Sequence, residues 1–162
     1  MAVPTDRLRV MVDANVLVAG IGWPRWPYAL LQHVLAGDFQ LVLTPYVIEE
    51  AHRNLKRIAP ATLPSFDEFL ALSDYETVAD PTPEEIVAQQ QIVRDPNDVP
   101  VALAAMKAQI DCLISSDKDL TESEELKKHV SVLLPAVFLR EYMGWTSEEL
   151  EVIRHRKWSD MA

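Results

Sequence analysis

The chain has 162 residues, about one domain's worth at roughly 150 residues per domain, which allows one sizeable buried core but not two. With 49% apolar and 25% charged residues, its composition is that of a folded globular chain and excludes disordered, collagen-like and low-complexity classes. Fifteen Lys and Arg against 25 Asp and Glu leave a net charge of −10, which argues against a broad basic face for gripping DNA or an anionic membrane and makes any nucleic-acid contact local. The N-terminal MAVPTDRLRVMVDANVLVAG lacks a basic n-region, a continuous apolar stretch and a cleavage site, and no window has the length of a membrane span. The expected location is therefore cytoplasmic, with no membrane partner. Cys112 is the single cysteine, so an internal disulfide and a cysteine-rich metal site are both excluded.

Leu8 to Val12 (LRVMV) reads as a buried strand that ends at Asp13. Trp23-Pro-Arg-Trp-Pro27 reads as a loop. Tyr28 to Ala36 then reads as a helix, with Leu30, Leu31, Val34 and Leu35 at helical spacing and Gly37 as its stop. Phe39 to Leu43 is a second strand, and Thr44 followed by Pro45 predicts an N-cap and a first-turn proline for a helix reaching about Ile58. Prolines 60 and 64 end that stretch. Ser65 to Leu72 reads as a helix and Tyr75 to Ala79 as a short strand.

Thr82-Pro83-Glu84-Glu85 predicts a capped helix running to about Val93, and the loop Arg94 to Asp98 leads into an alanine-rich helix over Val99 to Gln109. Pro100 is tolerable only in that helix's first turn, which puts Asp98 at its N-terminus. Ile110 to Ile114 and Val130 to Leu134 are further strands; between them Thr121 and Glu124 suggest a capping box, as do Thr146 and Glu149 near the end. Strands alternating with helices predict an α/β fold: a three-layer α/β/α sandwich around a mostly parallel sheet of four or five strands.

Ligands of open parallel sheets bind outside the carboxyl ends of the strands. Two predicted strands lead there into acids, Asp13 and Asp117. Asp98 would begin a helix at the same rim, and Glu50 lies about one and a half turns into its helix. Four converging carboxylates repel and raise one another's pKa, so such a cluster persists mainly around a divalent cation. Oxygen ligands without histidine or cysteine favour Mg²⁺ or Mn²⁺ over zinc.

In this order the residues resemble the PIN-domain nucleases, which include the VapC-like toxins of toxin–antitoxin pairs. Val12-Asp-Ala-Asn-Val-Leu-Val18 resembles the family's opening D-x-N strand, with Asp13 in the metal-binding position and Asn15 in support. Thr44-Pro-Tyr-Val-Ile-Glu-Glu-Ala-His-Arg-Asn-Leu55 is similar to the helix that carries the family's glutamate, aligned at Glu50 rather than Glu49. Asp95-Pro-Asn-Asp98 and the following alanines resemble the D-P-x-D loop, and Ser115-Ser-Asp-Lys-Asp-Leu120 the closing motif with Asp117 in the fourth acidic position and Asp119 beside it. Ala14, Ser116 and Pro100 depart from the pattern, but no acid is lost. The resemblance spans residues 9 to about 140. It implies a nuclease domain over 1–140; the tail 141–162 lies outside the motifs and reads as a C-terminal helical extension packed on the same domain, with Trp145 and Trp158 as apolar anchors.

The resemblance further implies an Mg²⁺- or Mn²⁺-dependent ribonuclease with one or two ions, cutting single-stranded RNA as the toxin of a pair. A cognate antitoxin and a second copy of the chain are the implied protein partners. Asp13, Asp98, Asp117 and Glu50 would hold the metal, and Asn15, Asp95, Ser115 and Asp119 would support them. Arg53, Lys56 and Lys118, with Arg25 and Arg57, are the cations available to the RNA backbone, and Trp23 or Trp26 could stack on a base.

Taken singly, Asp95, Asp98 and Asp119 read as helix or turn caps, Glu49 and Glu50 as solvated helix charges, and the tryptophan pair as loop packing. His33, His52, His129 and His155 show no ligand spacing, and Cys112 reads as a core residue. Two other readings stay open: a Mg²⁺-dependent phosphatase or receiver-like protein, whose D-x-D start and late lysine are missing here, and a PIN-like module that binds RNA or protein without cutting it.

Overall fold

A computed structural model gives the protein's structure and describes residues 7–161. The part of the leader reading that falls on residues 1–6 lies outside the described residues. Five parallel strands form one sheet in the order β3-β2-β1-β4-β5, where β1 is Arg9–Val12, β2 Gln40–Leu43, β3 Glu76–Thr77, β4 Cys112–Ile114 and β5 Ser131–Leu133. Helices cover both faces, giving the α/β/α layers expected. The three central strands therefore carry unbroken apolar runs, with Val10, Met11, Val12, Leu41, Val42, Leu43, Cys112, Leu113 and Ile114 all fully buried. Cys112 is the core residue its sequence context suggests; burial pushes its thiol up to about 12, so it stays protonated. None of the helices described is long and apolar enough to cross a membrane.

The chain builds the sheet outward from β1 to β2 and β3, then returns to lay β4 on the other side of β1. The strand order thus reverses between β1 and β4, and the carboxyl ends there leave a crevice because the connecting helices diverge. Val12 is in register with Ile114, so the residues following each, Asp13 and Ser115, emerge side by side.

Several parts of the chain differ from the sequence reading. The segment after Asp13 is a helix, α1 (Ala14–Gly22), that the sequence reading did not place. Its residues are apolar almost all round because it is sandwiched in the core, so no amphipathic stripe marks it. The next helix, α2 (Trp26–Leu35), starts inside the expected Trp-Pro loop, with Pro27 in its first turn, where a missing N–H costs nothing. The box expected at Thr121 and Glu124 does not form. Thr121 ends α7 (Lys118–Thr121), and Ser123 caps α8 (Glu124–Lys127) by accepting from the Leu126 N–H.

Helix α3 (Pro45–Ile58) is held firmly at its start. Thr44 Oγ1 accepts from the Val47 N–H, and the Asp80 carboxylate, arriving after β3, accepts from the Tyr46 N–H. Val47, Ala51 and Leu55 seat the helix in the core. Thr44→Ala should therefore cost about 1 kcal/mol, lowering Tm in a thermal melt by about 2–4 °C. Helix α4 (Leu63–Leu72) follows. Then comes α5 (Pro83–Ala88), which has the expected Thr82–Glu85 box but gives way to a 3₁₀ turn, Gln90–Ile92, short of Val93. A second 3₁₀ turn, Pro96–Asp98, leads into α6 (Val99–Ala108).

Beyond β5, α9 (Pro135–Met143) and α10 (Ser147–Ile153) pack back on the domain, the second with the Thr146–Glu149 box complete. Leu139, Leu150 and Ile153 form a small cluster with Ala29, flanked by Trp26 and Trp145. The Trp26 indole N–H donates to the Leu150 carbonyl and that of Trp158 to the Gly22 carbonyl. Trp26 thus fastens the C-terminal segment, while Trp23 stays exposed.

Candidate metal centre

Asp13 caps α1 in the crevice beyond β1. It is buried, and its two oxygens accept from the Ala14 N–H at 2.8 Å and the Ser115 hydroxyl at 3.0 Å. Ser115, fully buried at the end of β4, also accepts from the Asp117 N–H, so one hydroxyl locks the β1 acid to the β4 acid. Asp117 in turn caps α7, with its Oδ1 accepting from the Asp119 N–H at 2.8 Å. Burial holds the Asp13 carboxyl above its ordinary range against the lowering effect of its two donors, and the charges of Asp117 and Glu50 add to the rise.

Asp98 is different in kind. It stands at the N-terminus of α6 but makes no capping bond, whereas Asp95 does cap its turn by accepting from the Asn97 N–H. The capping reading thus accounts for Asp95 and fails for Asp98. Its Oδ2 is buried, and no donor reaches it among the described residues. Desolvation, contact with the Asp117 carboxyl and the charges of Asp117, Asp13 and Asp95 push it up to about 8. Two carboxyls can hydrogen-bond only if one holds a proton. A buried, donorless carboxylate among acids is costly unless a proton or cation neutralises it.

Oxygens of Asp95, Asp98 and Asp119 lie within 4.8 Å of one another. The donor set is all oxygen, one of its residues carries an unsatisfied buried acceptor, and it fits a hard divalent cation. Asp13 and Asp117 adjoin the group through Ser115 and the Asp98 contact. Glu50 is half-buried on α3 near enough to influence Asp13, and it is paired with Arg53, which also bonds Glu49 at 3.2 Å. Arg53 therefore faces the acids. Lys56 and Arg57 are exposed further along α3, Lys118 is exposed at the start of α7, and Arg25 donates instead to the Arg156 carbonyl. Asn15 is exposed in the first turn of α1.

Two residues beside the acids escaped the sequence reading. Arg94 pairs with Asp119 at 2.7 Å and borders a polar groove of about 680 Å³ that also exposes Lys118. Its position directly before the D-P-N-D loop was the available signal. Tyr46, one helical turn before Glu50, donates its hydroxyl to the Asn97 carbonyl at 3.0 Å.

No curated protein matches the sequence. In fold the chain is similar to the crystal structure of PAE2754 from Pyrobaculum aerophilum, with a TM-score of 0.57 and 18% identity over 82% of this chain and 88% of that one. It is also similar to the structure of VapBC2 from Rickettsia felis bound to a DNA fragment from their promoter, with a TM-score of 0.56 and 15% identity over 77% and 97% of the two chains. The sequence itself matches the PIN domain family model over residues 9–119, a stretch that begins at β1 and ends at Asp119, taking in all the acids of the crevice. With the motifs, the strand order and the acidic crevice in agreement with that match, the chain belongs to the PIN-domain family.

Proposed function

We propose that the protein is a Mg²⁺- or Mn²⁺-dependent endoribonuclease acting on single-stranded RNA, the cytoplasmic toxin of a toxin–antitoxin pair. The observation that carries this reading is the half-buried Asp98 carboxyl, which does not cap its helix, whose enclosed Oδ2 meets no donor among the described residues, and which lies among Asp13, Asp95, Asp117 and Asp119. Asp98, Asp117 and Asp13 would hold the cation, with Asp95 and Asp119 beside them and Glu50 completing the set. When bound, the cation would supply Lewis-acid activation of water and offset charge on the phosphodiester. Ser115 fixes the orientation of Asp13, and Glu50, paired with Arg53, is placed to orient a water. Arg94, Lys118 and Arg53 border the acids and supply local positive charge for a phosphate backbone despite the net charge of −10.

The antitoxin and self-association belong to the same reading, supported by family membership and by the VapBC2 likeness. The test is incubation of labelled single-stranded RNA with purified protein in Mg²⁺, Mn²⁺ or EDTA, beside an Asp117→Asn preparation made in parallel. The expected result is cutting that needs metal and is lost in the variant. Equal cutting by both preparations would assign the activity to a contaminant, and no cutting together with no Mn²⁺ uptake would favour a binding module.

A further inference from the structure

Tyr46 sits where two parts of the crevice must be held at a fixed separation. Its backbone belongs to the best-anchored stretch of the rim: the α3 N-terminus, tied by Thr44 and by Asp80, which binds the Tyr46 N–H itself. Its hydroxyl reaches across to the Asn97 carbonyl, in the 3₁₀ turn that ends in Asp98. Within itself that turn is held by local bonds, from the Asn97 N–H to Asp95 Oδ1 and from the Asp98 N–H to the Asp95 carbonyl. The Asp98 contact with the Asp117 carboxyl ties the turn to the β4 side and the buried Val99 seats the helix that follows, while the Tyr46 bond ties it to the helix that carries Glu50.

We propose that Tyr46 is a positioning residue of the metal centre: its hydroxyl, bonded to the Asn97 carbonyl, holds the turn carrying Asp98 against the helix carrying Glu50. The proposal rests on the metal-dependent reading of the site. A tyrosine suits this task because it spans the gap with only two side-chain torsions to order. The phenol lies above its ordinary value through burial and then the charges of Glu50 and Asp98, so it remains a donor at neutral pH. A cation binds only molecules with the turn in place, and its apparent affinity scales with their fraction. Loss of one hydrogen bond lowers the ratio of in-place to displaced turn by about threefold to tenfold.

The test compares wild type with Tyr46→Phe, which keeps the ring and removes the donor. In metal-free protein, amide exchange across residues 95–99 is expected to quicken about threefold to tenfold, with the melting temperature in EDTA falling by no more than about 2–4 °C. In calorimetric titration the Mn²⁺ Kd is expected to rise, by at most that factor. A role confined to packing would move the melting temperature and leave the affinity alone. Unchanged loop exchange, or unchanged affinity beside a wild type that binds Mn²⁺, overturns the role of Tyr46. A wild type that takes up no Mn²⁺ overturns the metal reading and the proposal with it.

Discussion

Asp13→Asn should abolish metal-dependent RNA cleavage, lowering it by more than about 100-fold, and leave the metal-free protein folded and no less stable than wild type. The loss is set by the chemistry of ligation: even residues that merely orient metal ligands are worth about 10–100-fold, and Asp13 is a proposed ligand. The preserved fold follows from local geometry. Asparagine keeps an oxygen for the Ala14 N–H, and its amide can donate to the Ser115 hydroxyl, whose second lone pair still receives the Asp117 N–H. It also removes a buried charge that burial and the neighbouring Asp117 and Glu50 disfavour. Cleavage assays in Mn²⁺ and melting in EDTA on the same preparations check both halves. A folded variant that cuts at the wild-type rate would remove Asp13 from the site.

Much of the fold was legible because the strands and caps obey local rules. The runs ending at Val12, Leu43 and Ile114 are apolar on both faces, as a doubly covered parallel sheet requires, and Thr44, Thr82 and Thr146 each cap the helix they announced. What was hidden had a tertiary cause. Helix α1 has no polar stripe because it is packed in the core between α2 and α3, and α9, which the sequence does not announce, splits its Phe138 and Leu139 between two separate clusters. The strand expected over Tyr75 to Ala79 contracts to two residues at the sheet edge, where only β2 remains to pair with it.

The site divides along the same line. Asp13, Asp98 and Asp117 could be found in sequence because each follows a strand end or opens a helix, and topology alone carries such positions to one rim. Pairings across the crevice could not. Nothing local says that Arg53 turns to Glu50, that Arg94 meets Asp119, or that the Tyr46 hydroxyl finds a carbonyl 51 positions away. Nor does the sequence distinguish Asp98 from a capping aspartate; that difference lies in which atoms surround Oδ2 once the chain is folded.

Stability of the metal-free protein should fall as pH rises from about 5 to 8, and saturating Mn²⁺ should flatten or reverse that slope. Asp98 is pushed up to about 8 and Asp13 is raised as well, both first by desolvation, whereas an unfolded aspartate titrates at about 3.9. Between those values the folded state holds more protons than the unfolded one. Raising the pH then favours unfolding until the folded groups have themselves ionised. Groups shifted the other way act elsewhere: Glu76, Glu85 and Glu149 are lowered by their hydrogen-bond donors, so their stabilisation is complete above their unfolded pKa and is lost only in more acid solution. A cation takes the place of the shared proton, so its affinity should climb through the same window with proton release on binding, measurable as a buffer-dependent heat. Urea melts at pH 5, 6, 7 and 8, in EDTA and in Mn²⁺, give the two slopes, and Asp98→Asn isolates the contribution of this carboxyl by shrinking the slope in EDTA. A metal-free stability that rises across this range, or a slope untouched in Asp98→Asn, would mean that the acids do not share a proton and that the crevice is relaxed without a cation.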